Sequence, residues 1–237
     1  MILQDIFDQL SHGELSQLHL GGDDEYSGVR EQEKPRIIAH IQLGLTALHK
    51  RFLLKQQKVV IELEPGRSTY ILNSKFAQSN TKSKELVKYL NDLNEPLKDN
   101  LLQIERVVND KGEELTLNVT GDPDTVRTMS YNTLIVPDGI ESETLTVVYR
   151  ANHPTINPIL GKAVSFQVEI DLPATHLEAL LYFVASRVMN PIGLANEFHE
   201  GNNYAAKYEQ ACMELEMNGY ELNSVGTSTR FEDNGWV

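Results

Sequence analysis

The hydrophobic period of this chain changes twice, and that limits what it can fold into more than any other feature. Apolar residues recur at helical spacing up to about residue 56. From Gln57 to Leu172 they alternate or fall in short runs, and after Pro173 helical spacing returns. Ile2, Leu3, Ile6, Phe7 and Leu10 make one helical stripe, and the segment to Leu20 is expected to be helical. Ser11 and Glu14 have capping-box spacing, which predicts a second short helix there. A loop follows over Gly21-Gly22-Asp23-Asp24-Glu25. Pro35 suits a first helical turn. After it, Ile37, Ile38, Ile41, Leu45, Leu48 and Phe52 predict an amphipathic helix.

At Gln57 the period becomes two. Val59, Ile61 and Leu63 predict a strand, Pro65-Gly66 a turn, and Ser68 to Leu72 the return strand of a hairpin. Thr81 to Leu93 carries Leu86, Leu90 and Leu93 on one side and is expected to be a short helix. Leu101 to Val108, Glu114 to Val119, Thr133 to Val136, Thr144 to Arg150 and Val164 to Leu172 are further strand candidates. Thr175 and Glu178 form a T-x-x-E box ahead of Leu177, Leu180, Leu181, Val184 and Val188. A last helical stripe runs through Leu194, Phe198, Tyr204, Tyr208, Ala211, Cys212 and Leu215 to a stop at Gly219.

Helices at the two ends cannot bury their apolar faces alone. The expected fold class is therefore α+β: a helical bundle core of about four helices drawn from both chain ends, with an inserted β-rich segment and an extended C-terminal tail. The expected divisions are 1–56 and 173–220 for the two halves of the core. Residues 57–172 form the insertion, with one short helix near 81–93, and 221–237 form the tail.

At 237 residues and 41% hydrophobic, the chain can bury a sizeable core. No apolar run reaches the roughly 18–20 residues that a membrane span needs. The start has no basic segment before an apolar stretch, so no signal peptide is expected. Cys212 is the only cysteine, which suits a reducing compartment and allows no internal disulfide. The net charge of −13 disfavours a nucleic-acid clamp.

Motifs of chemistry are few. No phosphate loop, dinucleotide fingerprint or nucleophile elbow is present. Glu197-Phe198-His199-Glu200 sends neighbouring side chains to diverging helical faces and is expected to be ordinary surface. Asp23-Asp24-Glu25 lacks the spacing of a calcium loop and is expected to be solvated. Cys212 falls on an apolar face and is expected to be a small buried hydrophobe. His40 and His49 lie nine apart on one helix, poorly aligned for a shared site, and are expected at the core edge or surface. No cofactor, metal or catalytic residue is expected, and the chain is read as a non-enzyme.

Three stretches resemble a known family. They are Gly44-Leu45-Thr46-Ala47-Leu48-His49-Lys50-Arg51-Phe52 with Gly66-Arg67-Ser68-Thr69-Tyr70-Ile71-Leu72, then Val147-Val148-Tyr149-Arg150-Ala151-Asn152-His153-Pro154, and Ile170-Asp171-Leu172-Pro173 leading into Leu177-Glu178-Ala179-Leu180-Leu181-Tyr182-Phe183-Val184-Ala185. Over about Leu3 to Tyr220 the chain resembles the head-to-tail adaptor (connector) proteins of short-tailed bacteriophages. The matching motifs are packing patterns rather than chemistry, and the long β region departs from the smallest family members. The resemblance implies a ring, of twelve copies by expectation, beneath the portal protein and above a tail or nozzle protein. DNA would pass through without specific binding, no membrane would be involved, and an acidic lumen would keep phosphates from sticking. The location implied is the virion neck, and the host cytoplasm during assembly.

The tail residues Arg230, Phe231, Trp236 and Val237 are the docking candidates, because large aromatics and Arg dominate interface energetics. The tail is expected to order against the portal or a neighbouring subunit; folding back on its own helices is the alternative. Another phage neck or tail-completion protein, a small enzyme without a recognisable motif, and a module binding peptides at a strand edge stay open at this point.

Overall fold

Alternating apolar residues pair into sheets wherever partners of matching register exist, and here that happens twice. The computed structural model describes residues 1–16, 29, 33–157, 159–160, 163–164, 166–189 and 195–219. They divide into two units, one from Lys55 to Asn152 and one from Met1–Leu54 together with the chain after His153.

The Lys55–Asn152 unit is built from strands, with one short 3₁₀ turn over Ser74–Phe76. Its strands are β1 (Gln56–Glu62), β2 (Thr69–Ile71), β3 (Leu90–Asn91), β4 (Leu101–Asn109), β5 (Glu114–Leu115), β6 (Arg127–Ser130), β7 (Thr133–Ile135) and β8 (Thr144–Ala151). One sheet has the order β3-β1-β8-β4-β5, the other β2-β7-β6, and all pairs are antiparallel. Register places Val59 opposite Val147 and Ile61 opposite Leu145, so the alternating residues of β1 and β8 share a buried face. Tyr70, Tyr89, Val107 and Leu134 complete that core. β4 carries two register shifts, Leu101/Gln103 and Ile104/Arg106, and its burial accordingly repeats every three residues rather than two.

Two expectations fail in this unit. The Pro65-Gly66 turn does form, with Gly66 at φ +77° and the Arg67 amide donating to the Glu64 carbonyl. The strands around it do not pair as a hairpin: β1 pairs with β3 and β8, and β2 with β7. The expected helix at 81–93 is absent. Leu90 pairs with Ile61 as part of β3, and Leu86 is fully exposed. The buried Asp92 carboxylate holds this irregular stretch, accepting from the Ser79 amide and hydroxyl and from the Leu97 amide.

The other unit contains α1 (Leu3–His12), α2 (Lys34–Arg51), α3 (Leu177–Val188) and α4 (Ala195–Met217), and a two-stranded ladder of β9 (Ile159–Leu160) and β10 (Ala163–Val164). The expected fold class, a helical bundle core from both chain ends carrying a β insert, is overturned. Among the described residues there are four helices and eight strands in two antiparallel sheets beside the β9–β10 ladder, and the helices do not make such a core. α3 packs against α4 and α2, whereas α1 has few helix contacts. Ten residues give α1 a short apolar stripe, and extended backbone holds its start: the Leu3 and Gln4 amides donate to the Val168 and Phe166 carbonyls, and the Ile170 amide to the Met1 carbonyl. The strand expected over Val164 to Leu172 is thus mostly this irregular edge. Among its described residues only Val164 belongs to a ladder, paired with Ile159.

Two of the expected helix caps do not form. Ser11 lies inside α1, its hydroxyl on the Asp8 carbonyl, and does not cap a new helix. The T-x-x-E box does not close either. A 3₁₀ turn over Ala174–His176 precedes α3, Thr175 bonds the His176 ring, and Glu178 accepts from the Tyr182 hydroxyl. Pro35 does sit in the first turn of α2, and Gly219, at φ +69°, follows α4. Among the described residues no helix is long and apolar enough to cross a membrane.

Candidate functional surfaces

Specific contacts between side chains lock the helix-bearing unit. Gly44 lets α2 and α3 approach closely: a methyl in its place would meet Leu180 Cδ1 at 2.6 Å and Phe183 Cδ1 at 2.9 Å. At the end of α2, Arg51 reaches α4 with Nε 2.5 Å from Glu216 and Nη1 2.6 Å from Glu209. That bonding holds the Glu216 carboxyl below the usual carboxylate range and keeps the guanidinium charged. Pattern reasoning missed this tie. Its signal was present, since Glu209 and Glu216 are seven apart and recur on one face of a helix.

Three buried histidines gather in the same unit. His49, fully buried against expectation, bonds the Leu45 carbonyl through Nδ1 at 2.8 Å and meets the His153 ring edge-on at 5.7 Å. His153 Nε2 accepts from the Asp171 amide at 3.1 Å, so its proton sits on Nδ1, bonded to the Pro154 carbonyl at 2.7 Å. His176 packs edge-on to Phe52 at 4.8 Å, and burial lowers its pKa. His40 is lowered too, by burial first and then by Arg36 and Arg187. His49 and His153 hold committed bonds, whereas His40 Nδ1 and His176 Nε2 are buried without a hydrogen-bond partner. None stands beside Cys212, whose thiol burial pushes up, away from nucleophilic reactivity.

Among the described residues no three His, Cys, Asp or Glu side chains are placed to hold a metal ion. Glu197, His199 and Glu200 belong to the first turns of α4, on backbone alone. Asp23, Asp24 and Glu25, and the docking candidates Arg230, Phe231, Trp236 and Val237, lie outside the described residues. The structure therefore brings none of the sequence-stated docking residues to a described surface.

The β unit carries an open groove of about 470 Å³ between the Glu64–Arg67 turn and the loop 136–143. Glu64, Asp138 and Glu143 line it and are exposed. Arg67 is committed to the Tyr89 ring face at 4.8 Å.

What stands out instead is apolar surface. Leu43 on α2 is 56% exposed, and Met213 and Met217 on α4 are 54% and 87% exposed. Met129 and Tyr131, on the β6–β7 hairpin, are 73% and 65% exposed. Comparison with protein-family models and with curated proteins found no match for the chain.

Proposed function

We propose that this protein is a structural virion assembly protein, a head-to-tail adaptor whose copies ring the DNA path beneath a portal and join head to tail. The observation that carries this is the exposed apolar side chains on both units. Leu43, Met213 and Met217 in one, and Met129 and Tyr131 in the other, meet solvent in the single chain, as surfaces that await other chains do. The resemblance over Gly44–Phe52 with Gly66–Leu72, over Val147–Pro154, and over Ile170–Pro173 leading into Leu177–Ala185 supports it, and Gly44, Leu180 and Phe183 of those stretches meet in one helix contact. The net charge of −13 suits a conduit that phosphates must leave without sticking. The partners in this proposal are the portal protein, a tail or nozzle protein and further copies of the chain, and the tail residues Arg230, Phe231, Trp236 and Val237 form the portal anchor. No catalytic group or cofactor takes part. Mixing the full chain with purified portal rings and imaging by electron microscopy tests the proposal: density added at one portal end supports it, and unaltered portals count against it.

The reading as a peptide-binding strand edge gains little. β4 flanks β8 with an open edge over residues 101–106, but its two bulges and the exposed Gln103 and Arg106 blunt that edge.

A further inference from the structure

The groove of the Lys55–Asn152 unit has apolar walls and an acidic rim. Leu63 and Pro65 line one side and Pro137 and Ile140 the other, and none of the four is fully buried. Glu64, Asp138 and Glu143 stand exposed around them. Among the described residues, none of these three carboxylates takes a hydrogen bond or an ion pair. By contrast, Glu105 is taken by Arg150, and Glu209 and Glu216 by Arg51. Arg67 is the one cation among the lining residues, and it lies on the Tyr89 ring. Just outside, the Asp110 carboxylate accepts from the Glu143 amide at 3.3 Å, next in sequence to the exposed Lys111. Bonds within the unit fix the walls. The Leu63 amide donates to the Glu143 carbonyl at 2.9 Å, and the Glu64 amide to the Tyr70 hydroxyl at 2.8 Å. The groove is therefore shaped before anything enters it.

We propose that this groove binds an extended, basic segment of another protein, with apolar side chains on the walls and arginine or lysine ends among Glu64, Asp138 and Glu143. Charge sets the sign of the ligand, since a phosphate or carboxylate would meet three unpaired anions. Spacing argues against a single metal ion: among the described residues no three acidic side chains are placed to hold one. A lysine or arginine needs no such convergence, because its long stem lies along apolar surface while its charged end reaches the rim. Shape favours a chain segment over a small molecule. About 470 Å³ has room for side chains, but the groove is open, whereas small-ligand sites enclose most of the ligand. The proposal stands on the groove alone and holds whether or not the chain is an adaptor.

The test is isothermal titration calorimetry of the full chain with a short capped peptide of alternating leucine and arginine. The expected result is saturable binding that added salt weakens. Glycine in place of leucine should weaken it too, because the walls are apolar. Combining Glu64→Gln, Asp138→Asn and Glu143→Gln should weaken it about tenfold. A charge-matched set on exposed acids outside the groove, Glu85→Gln with Glu114→Gln and Glu214→Gln, should change it less than about twofold. Circular dichroism should be unaltered in both sets, because all six side chains are exposed. Absence of binding at about 1 mM peptide overturns the proposal. So does an equal loss in both sets, which marks diffuse attraction to an acidic protein. Free arginine that binds as tightly as the peptide also overturns it, in favour of a small-molecule site. A synthetic Glu221–Val237 peptide that displaces the probe at lower concentration overturns it in favour of the chain's own tail.

Discussion

At the residue scale, the side chains that matter most are those whose partners lie far away in sequence. Gly44 sits on the buried face of α2, where helix propensity alone would favour Ala by about 1 kcal/mol. The contact with Leu180 and Phe183 reverses that preference for anything larger. Gly44→Leu should destabilise the helix-bearing unit by about 1–3 kcal/mol, the usual cost of overpacking, read as a lower midpoint in urea denaturation. No period or motif marks Gly44, because the atoms that crowd it belong to a helix more than 130 residues on. Distance in sequence also hid the roles of His49, which meets His153, and Arg51, which meets Glu209 and Glu216. Pattern reasoning does place Ile37, Ile41, Leu45 and Leu48 on the buried face, since a repeat of 3.6 is a property of the local chain.

At the element scale, periods announced where strands and helices lie, but not what they pair with. β1 and β2 flank a turn and still join different sheets, because register with β8 and β7 decides pairing. The alternation of Phe166, Val168 and Ile170 was legible, yet its partner is the start of α1 rather than a sheet. The capping boxes do not close because Ser11 and Thr175 bond nearer partners, the Asp8 carbonyl and the His176 ring. Histidine placement gives this scale its prediction. All seven histidines fall outside Lys55–Asn152. His40 and His176 have folded pKa values below the ordinary 6.5, so between those values and 6.5 the unfolded chain binds more protons than the folded one. Stability from these groups is full above about pH 6.5 and is lost as pH falls below it. Hydrogen exchange at pH 7.5 and 5.5, corrected for intrinsic rates, should show protection falling in α2 and α3 while β1 and β8 change little. His176→Gln should reduce the effect. Equal losses in both units would contradict it.

At the scale of the whole molecule, the helical bundle expected from both chain ends gave way to two antiparallel sheets with their own core. The functional proposal survives that correction because it leans on surfaces. The tail is where sequence and structure do not meet, since residues 221–237 lie outside the described chain. Arg230, Phe231 and Trp236 still make a composition suited to an anchor. Deleting Glu221–Val237 should abolish co-sedimentation with portal rings and leave the circular dichroism of the remainder intact; a truncated chain that docks normally removes the tail from the account. The most direct measurement is electron microscopy of portal rings incubated with the full-length chain. The account predicts a further ring of density at one end of the portal, coaxial with its channel and built of repeated copies. Portals that remain bare at saturating protein would contradict it.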